Sequence, residues 1–215
     1  MPDLRRADAR RGIAFLVIAV SILCHLSPSA WADLRAEAVG YFNEGQQLQQ
    51  KGDAAGAMTA FQKSAGLDPG SAEPLCAMGA LYDQRGQTAM AQRAYETALA
   101  RQPNHLAANL GLAALYEHTG HQASALAYWL KSGVIAEQTS NLPQAAKALE
   151  HALALDQENL ETYTNLAKVY ERLNRKDTAL AYWLKLGVLA EAQGAPERAS
   201  LRHWTQEDQG RLGQR

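Results

Sequence analysis

Few residues in this 215-residue chain have types and spacings that could do chemistry. His118 and His121 straddle Gly120 and could be read as a metal pair, but the glycine marks a turn between them. No cysteine stands nearby to complete a ligand set, so no metal site is expected. Ser, His and Asp residues occur without a nucleophile motif or a Gly-rich phosphate loop. Glu117 and Glu171 recur at matching places in a repeated pattern, which suits a solvated helical face better than an acid–base pair. Neither catalysis nor a cofactor is expected, and the chemistry left to the chain is recognition.

The elements that would display such a surface are helical. Hydrophobic residues make up 47% of the chain, enough for a sizeable core, while prolines number 7 and aromatics 7%. Alanine is frequent, and alanine-rich, proline-poor sequences favour helices over sheets. With 21 basic against 22 acidic residues, the chain is neither an acidic tail nor a nucleic-acid arm. Collagen-like, disulfide-rich and disordered classes are excluded by the same arithmetic.

Residues 1–32 have the order of a secretory signal peptide. Arg5, Arg6, Arg10 and Arg11 make a basic start, Gly12 to Leu26 an apolar run, and Ala30-Trp31-Ala32 a small-residue cleavage site. The apolar run is shorter than the roughly 20 residues a spanning helix needs. Cleavage after Ala32 and a periplasmic location are expected, with secretion or an uncleaved inner-membrane anchor as alternatives. The residues after Arg10-Arg11 fit a twin-arginine signal loosely, and Leu23 stands before Cys24 where a lipidation signal carries a small residue. A chain starting at Asp33 carries 17 basic and 20 acidic residues and keeps Cys76 alone, which reads as a small buried hydrophobe.

Turn residues then recur as Gly52-Asp53, Gly86-Gln87, Gly120-His121, Ser140-Asn141, Asn174-Arg175 and Gly194-Ala195, spaced by 34, 34, 20, 34 and 20. Gly and Asn tolerate the left-handed conformation that ends a helix, and the segments between carry apolar residues at helical spacing.

This pattern resembles the tetratricopeptide repeat (TPR), a 34-residue unit of two antiparallel helices. Counting from Ala38, Gly45, Ala57, Phe61 and Pro69 fall at positions 8, 20, 24 and 32. The unit 72–105 places Gly79, Tyr82, Ala91, Tyr95, Ala98 and Pro103. The unit from Leu106 places Ala113, Tyr116, Ala125 and Trp129, and that from Leu160 places Leu166, Ala167, Tyr170, Ala179 and Trp183. The resemblance implies an all-α, right-handed α-solenoid of antiparallel helix pairs over 33–193, about ten helices in all. A capping helix over 194–208, with Leu201 and Trp204 on one side, and a flexible tail over 209–215 complete the expected organisation.

The spacing of 20 breaks the simple pattern. A second register starting at Leu126 (unit 126–159) overlaps the unit 106–139, so the helix around Trp129 closes one pair and opens the next. The segment Ala125–Lys131 recurs without change as Ala179–Lys185, and flanking matches include Tyr116/Tyr170, Glu117/Glu171, Gly133/Gly187 and Glu137/Glu191. A duplicated three-helix unit is expected. Tyr128, Trp129, Tyr182 and Trp183 are expected to pack in the core rather than form an aromatic ligand platform.

The resemblance also implies a binding groove lined by first helices at positions 2, 5, 9, 12 and 13. Transferred here, these are Val39, Phe42, Gln46, Gln49 and Gln50, then Ala80, Asp83 and Gln84, then Ala114, Glu117 and His118, and later Lys168 and Glu171. The first helices over 38–50, 72–84 and 106–118 contain no Lys or Arg, so a carboxylate-terminus clamp of the chaperone type is not expected. The expected partner is another protein or peptide segment, with no nucleic acid and no enzymatic role. An exported scaffold or assembly factor for an envelope complex is the leading expectation. A self-associating structural solenoid and an apoprotein-binding accessory in cytochrome maturation are the alternatives.

Overall fold

The structure, a computed structural model, describes residues 28–194. It contains α1 (Pro28–Gln50), α2 (Ala54–Leu67), α3 (Glu73–Gln84), α4 (Thr88–Arg101), α5 (Leu106–His118), α6 (Gln122–Gln138), α7 (Leu142–Leu155), α8 (Leu160–Arg172) and α9 (Lys176–Ala192). Among the described residues there are nine helices and no strand, the all-α repeat architecture that the spacing implies. None of these helices is long and apolar enough to cross a membrane. The helix α1 passes through Ala30-Trp31-Ala32 and the expected boundary before Asp33. The basic start, the whole apolar run, the expected 194–208 cap beyond Gly194 and the 209–215 tail lie outside the described residues.

The helix ends follow from local chemistry. Gly52, Gly86, Gly120, Ser140, Asn174 and Gly194 all take positive φ, between 58° and 81°. Each is the first residue of a turn pair that the sequence marks, although at Ser140-Asn141 the left-handed residue is the serine and not the asparagine. The left-handed residue lets the chain double back and satisfy orphan carbonyls. His121 N–H thus donates to the Tyr116 carbonyl at 2.8 Å, and Arg175 N–H to that of Tyr170 at 2.9 Å. At helix starts, the side chains of Asp53, His105 and Asn159 accept from the backbone N–H groups of Gly56, Ala108 and Thr162.

The described residues divide into two compact units that meet in sequence between Gly70 and Ser71. In the first, α1 packs on α2. A Cβ on Gly45 would sit 2.5 Å from the Phe61 ring, so only glycine leaves that ring its place.

In the second unit each helix packs on the next from α3 to α9. Tyr95 shows why two first helices need glycine at facing points. Its ring lies between Gly79 of α3 and Gly111 of α5, where an added Cβ would approach within 2.7 and 2.4 Å respectively. The helix α6 packs on α5 and α7 alike and also reaches α8, the double role that its overlapping registers predict. It achieves this by being buried on two sides: Ala125, Trp129, Ser132, Gly133, Ile135 and Ala136 are all buried.

Candidate functional site

Trp129 is placed by small neighbours. Ala113, Ala125, Ala148 and Ala152 are fully buried around it, leaving room for one indole between α5, α6 and α7. Only 7% of Trp129 is exposed. Its Nε1–H donates to Glu117 Oε2 at 2.7 Å, and its ring stacks on His151 with centroids 4.3 Å apart and planes 11° from parallel. Glu117 Oε2 is also 3.4 Å from His151 Nδ1, so one carboxylate oxygen serves an indole on α6 and an imidazole on α7.

Above the indole lies an open cleft of about 750 Å³. One wall is α5, through Leu110, Gly111, Ala114, Glu117 and His118. The other is α7, whose Gln144, Lys147 and His151 fall at i, i+3 and i+7 and share one face. The edge of Trp129 forms the floor. Leu110, Ala114 and the indole make an apolar strip, while Glu117, His118, Lys147 and His151 make a polar rim of both signs. The nine lining residues include no Ser, Thr, Cys or Tyr, so the cleft offers non-covalent contacts and no hydroxyl or thiol nucleophile.

A second carboxylate–imidazole contact continues the rim. His118 Nε2 is 3.4 Å from Asp83 Oδ1 of α3. With the His118 side chain half exposed, such a contact contributes at most about 1 kcal/mol and orients groups more than it holds the fold. Lys147 has no ion-pair partner among the described residues.

The geometry sorts the residues that the sequence nominates. Ala114, Glu117 and His118 line the cleft, and Asp83 joins it through His118. Half-buried Ala80 and exposed Gln84 share α3 with Asp83 but do not line the cleft. Val39, Phe42, Gln46, Gln49 and Gln50 belong to the first unit, where Phe42 meets Phe61 with ring centroids 5.6 Å apart. Lys168 is exposed on α8, and Glu171 Oε1 accepts from Trp183 Nε1 at 2.8 Å. His118 and His121 diverge: His118 meets Asp83, while His121 meets Thr119 Oγ1 at 3.0 Å and the Tyr116 ring edge-on. Among the described residues, no group of three His, Cys, Asp or Glu side chains gathers to hold a metal.

Sequence reasoning missed Gln144, Lys147 and His151, because it assigned binding to first helices alone. The signal was present in the second register, which makes α7 the partner of α6 and sets these residues over the Trp129 floor. The core expectation for Trp129 matches its burial, yet its edge still floors the cleft, so core and surface roles coincide.

Other titratable groups are tuned by burial away from the cleft. Desolvation pushes the Cys76 thiol up to about 11. Tyr170 rises to about 12, chiefly through burial and then through its hydrogen bond, at 2.6 Å, to Glu150.

Residues 76–136 and 148–181 match family profiles of the tetratricopeptide repeat. No curated protein matches the sequence. Among solved structures, the chain is similar to Pseudomonas aeruginosa PilF, at 18% identity and a TM-score of 0.44, covering 84% of this chain and 99% of that one. It is similar to MamA at 19% identity and a TM-score of 0.41, covering 73% and 93%. YrrB, a TPR protein with an unusual peptide-binding site, is similar at 16% identity and a TM-score of 0.41, covering 79% and 97%.

Proposed function

We propose that the chain is a non-catalytic scaffold that holds a segment of another protein in the cleft between α5 and α7. The observation that carries this reading is the cleft itself: an apolar strip over a fixed indole, rimmed by Glu117, His118, Lys147 and His151. An extended or helical segment would seat an apolar side chain on Leu110, Ala114 and Trp129, while its polar groups meet the rim. Fixing the indole through Glu117 and His151 before the partner arrives lowers the ordering cost of binding.

The order of the first 32 residues supports export through a cleaved signal, hence a periplasmic scaffold or assembly factor for an envelope complex. The recurrence of Ala125–Lys131 at Ala179–Lys185 supports duplication of a three-helix unit as the origin of α6 and α9.

The test is site-specific photocrosslinking in the native cell, with the photoreactive residue at Ala114 or Lys147 and, as control, at exposed Thr59 of α2. A defined adduct from positions 114 and 147 but not 59 supports the reading. Adducts from 59 alone, or none from the cleft, overturn it.

A further inference from the structure

The two signs of charge around the Trp129 cleft differ in what they already hold. Its carboxylates are engaged within the chain. Glu117 Oε2 accepts from the Trp129 indole at 2.7 Å and faces His151 Nδ1 at 3.4 Å. Asp83 Oδ1 faces His118 Nε2 at 3.4 Å. Glu150, three residues beyond Lys147 and within reach of it along α7, accepts instead from the Tyr170 hydroxyl at 2.6 Å. Lys147 itself is exposed and has no ion-pair partner among the described residues.

The opposite wall offers that ammonium nothing. Before Glu117, α5 carries no charged side chain, and the residues it gives the cleft there are Leu110, Gly111 and Ala114. The cleft thus sets donors on α7, the Gln144 amide and the Lys147 ammonium, against an apolar strip on α5. We infer that the segment held there is acidic as well as apolar. An Asp or Glu of the partner pairs with Lys147, with Gln144 as a second donor, while a neighbouring apolar side chain rests on Leu110, Ala114 and the indole edge. This rests on the reading of the cleft as a binding site and adds the sign of the partner's charge.

The ends of the chain outside the described residues are poor occupants on the same ground. Residues 1–27 carry Arg5, Arg6, Arg10 and Arg11 against Asp3 and Asp8. Residues 195–215 carry Arg198, Arg202, Arg211 and Arg215 against Glu197, Glu207 and Asp208. Both are net basic and complement a free lysine poorly, as would any basic segment of another protein.

The probes are short displayed peptides selected against the full chain, kept when the synthetic peptide saturably shifts the labelled Ala114 methyl signal. The same selection is run on Lys147→Glu. Wild-type binders should carry an Asp or Glu beside an apolar residue, and binders of Lys147→Glu a Lys or Arg in its place. Replacing the acid by its amide in the strongest peptide should weaken wild-type binding by about fivefold, the upper scale of an exposed ion pair. The same replacement should change nothing for Lys147→Gln. Cleft binders without a preference for acidic residues, or an amide peptide that binds wild type equally well, would overturn the inference and leave the cleft reading standing. If no selected peptide shifts Ala114, both fall. Both also fall if Ala114, without peptide, contacts residues 1–27, residues 195–215 or a second copy.

Discussion

The Trp129 indole donates to Glu117 at 2.7 Å, and fifty-four residues on, Trp183 donates to Glu171 at 2.8 Å. The neighbouring rings repeat as well, with Tyr116 stacked on Tyr128 at 5.6 Å and Tyr170 on Tyr182 at 5.5 Å. Each carboxylate holds a tryptophan that bridges helices, so the pair is structural and also sets the cleft floor. Trp129→Ala should destabilise the second unit by about 3–5 kcal/mol, the usual cost of truncating a buried Trp. Because repeats couple chiefly to their neighbours, its melt should also broaden. Trp129→Phe should retain most of that stability. Calorimetry of the two variants checks this, and an unchanged melt for Trp129→Ala would make the residue a surface platform.

The rim should tolerate charge reversal. Asp83→Lys and Glu117→Lys replace partly exposed carboxylates whose imidazole contacts are weak. Circular dichroism should show the helix content unchanged, with a loss of about 1 kcal/mol or less for Asp83→Lys. Glu117→Lys should cost more, about 1–3 kcal/mol, because it orphans the buried indole N–H.

Left-handed turn residues give a pair of opposite outcomes. Asn174 holds φ 58° with a side chain and Gly86 holds φ 68° without one. Asn174→Gly should be neutral or stabilising by up to about 1 kcal/mol, and Gly86→Ala destabilising by about 1 kcal/mol. Urea midpoints of the two variants measure the contrast.

The thiol gives a pH dependence with a definite sign. Burial raises Cys76 from an ordinary value of 9.0 to about 11, so the folded state holds the proton more tightly than the unfolded chain. Its stabilising contribution is complete below pH 9 and disappears as pH rises towards 11. Native Cys76 should therefore resist alkylation at about pH 8 and react at once on unfolding. Cys76→Ala should flatten the alkaline part of the stability curve, which urea titration between pH 8 and pH 11 reads directly.

Processing makes a separate prediction. N-terminal sequencing of the protein from the cell envelope should begin at Asp33. Met1 retained in a membrane fraction would point instead to an uncleaved anchor.

Much of the fold was legible because its signals are local. Five of the six turns place the left-handed conformation on a Gly or Asn that the sequence marks, and the sixth places it on Ser140 rather than on the neighbouring Asn141. The overlapping registers around Trp129 likewise foretold a helix packed on both sides. The cleft was only half legible. Ala114, Glu117 and His118 follow from positions along one helix, whereas Lys147 and His151 reach it because α7 lies across α6 from α5. That is a tertiary relation no single-helix spacing contains. Phe42 shows the converse, a residue nominated for the surface by its position whose ring packs against Phe61.

The central claim is that partner recognition happens over the Trp129 floor. The most direct measurement is the affinity of a displayed-peptide binder, selected against the full chain, for wild type and for two cleft variants. Ala114→Arg fills the apolar strip at a residue that borders the core cluster around Trp129, and Lys147→Glu reverses the rim charge at an exposed side chain. The account predicts at least a tenfold loss for Ala114→Arg, about 1.4 kcal/mol, and a smaller loss for Lys147→Glu, with helix content and melting unchanged. Binding equal to wild type in both variants would contradict it.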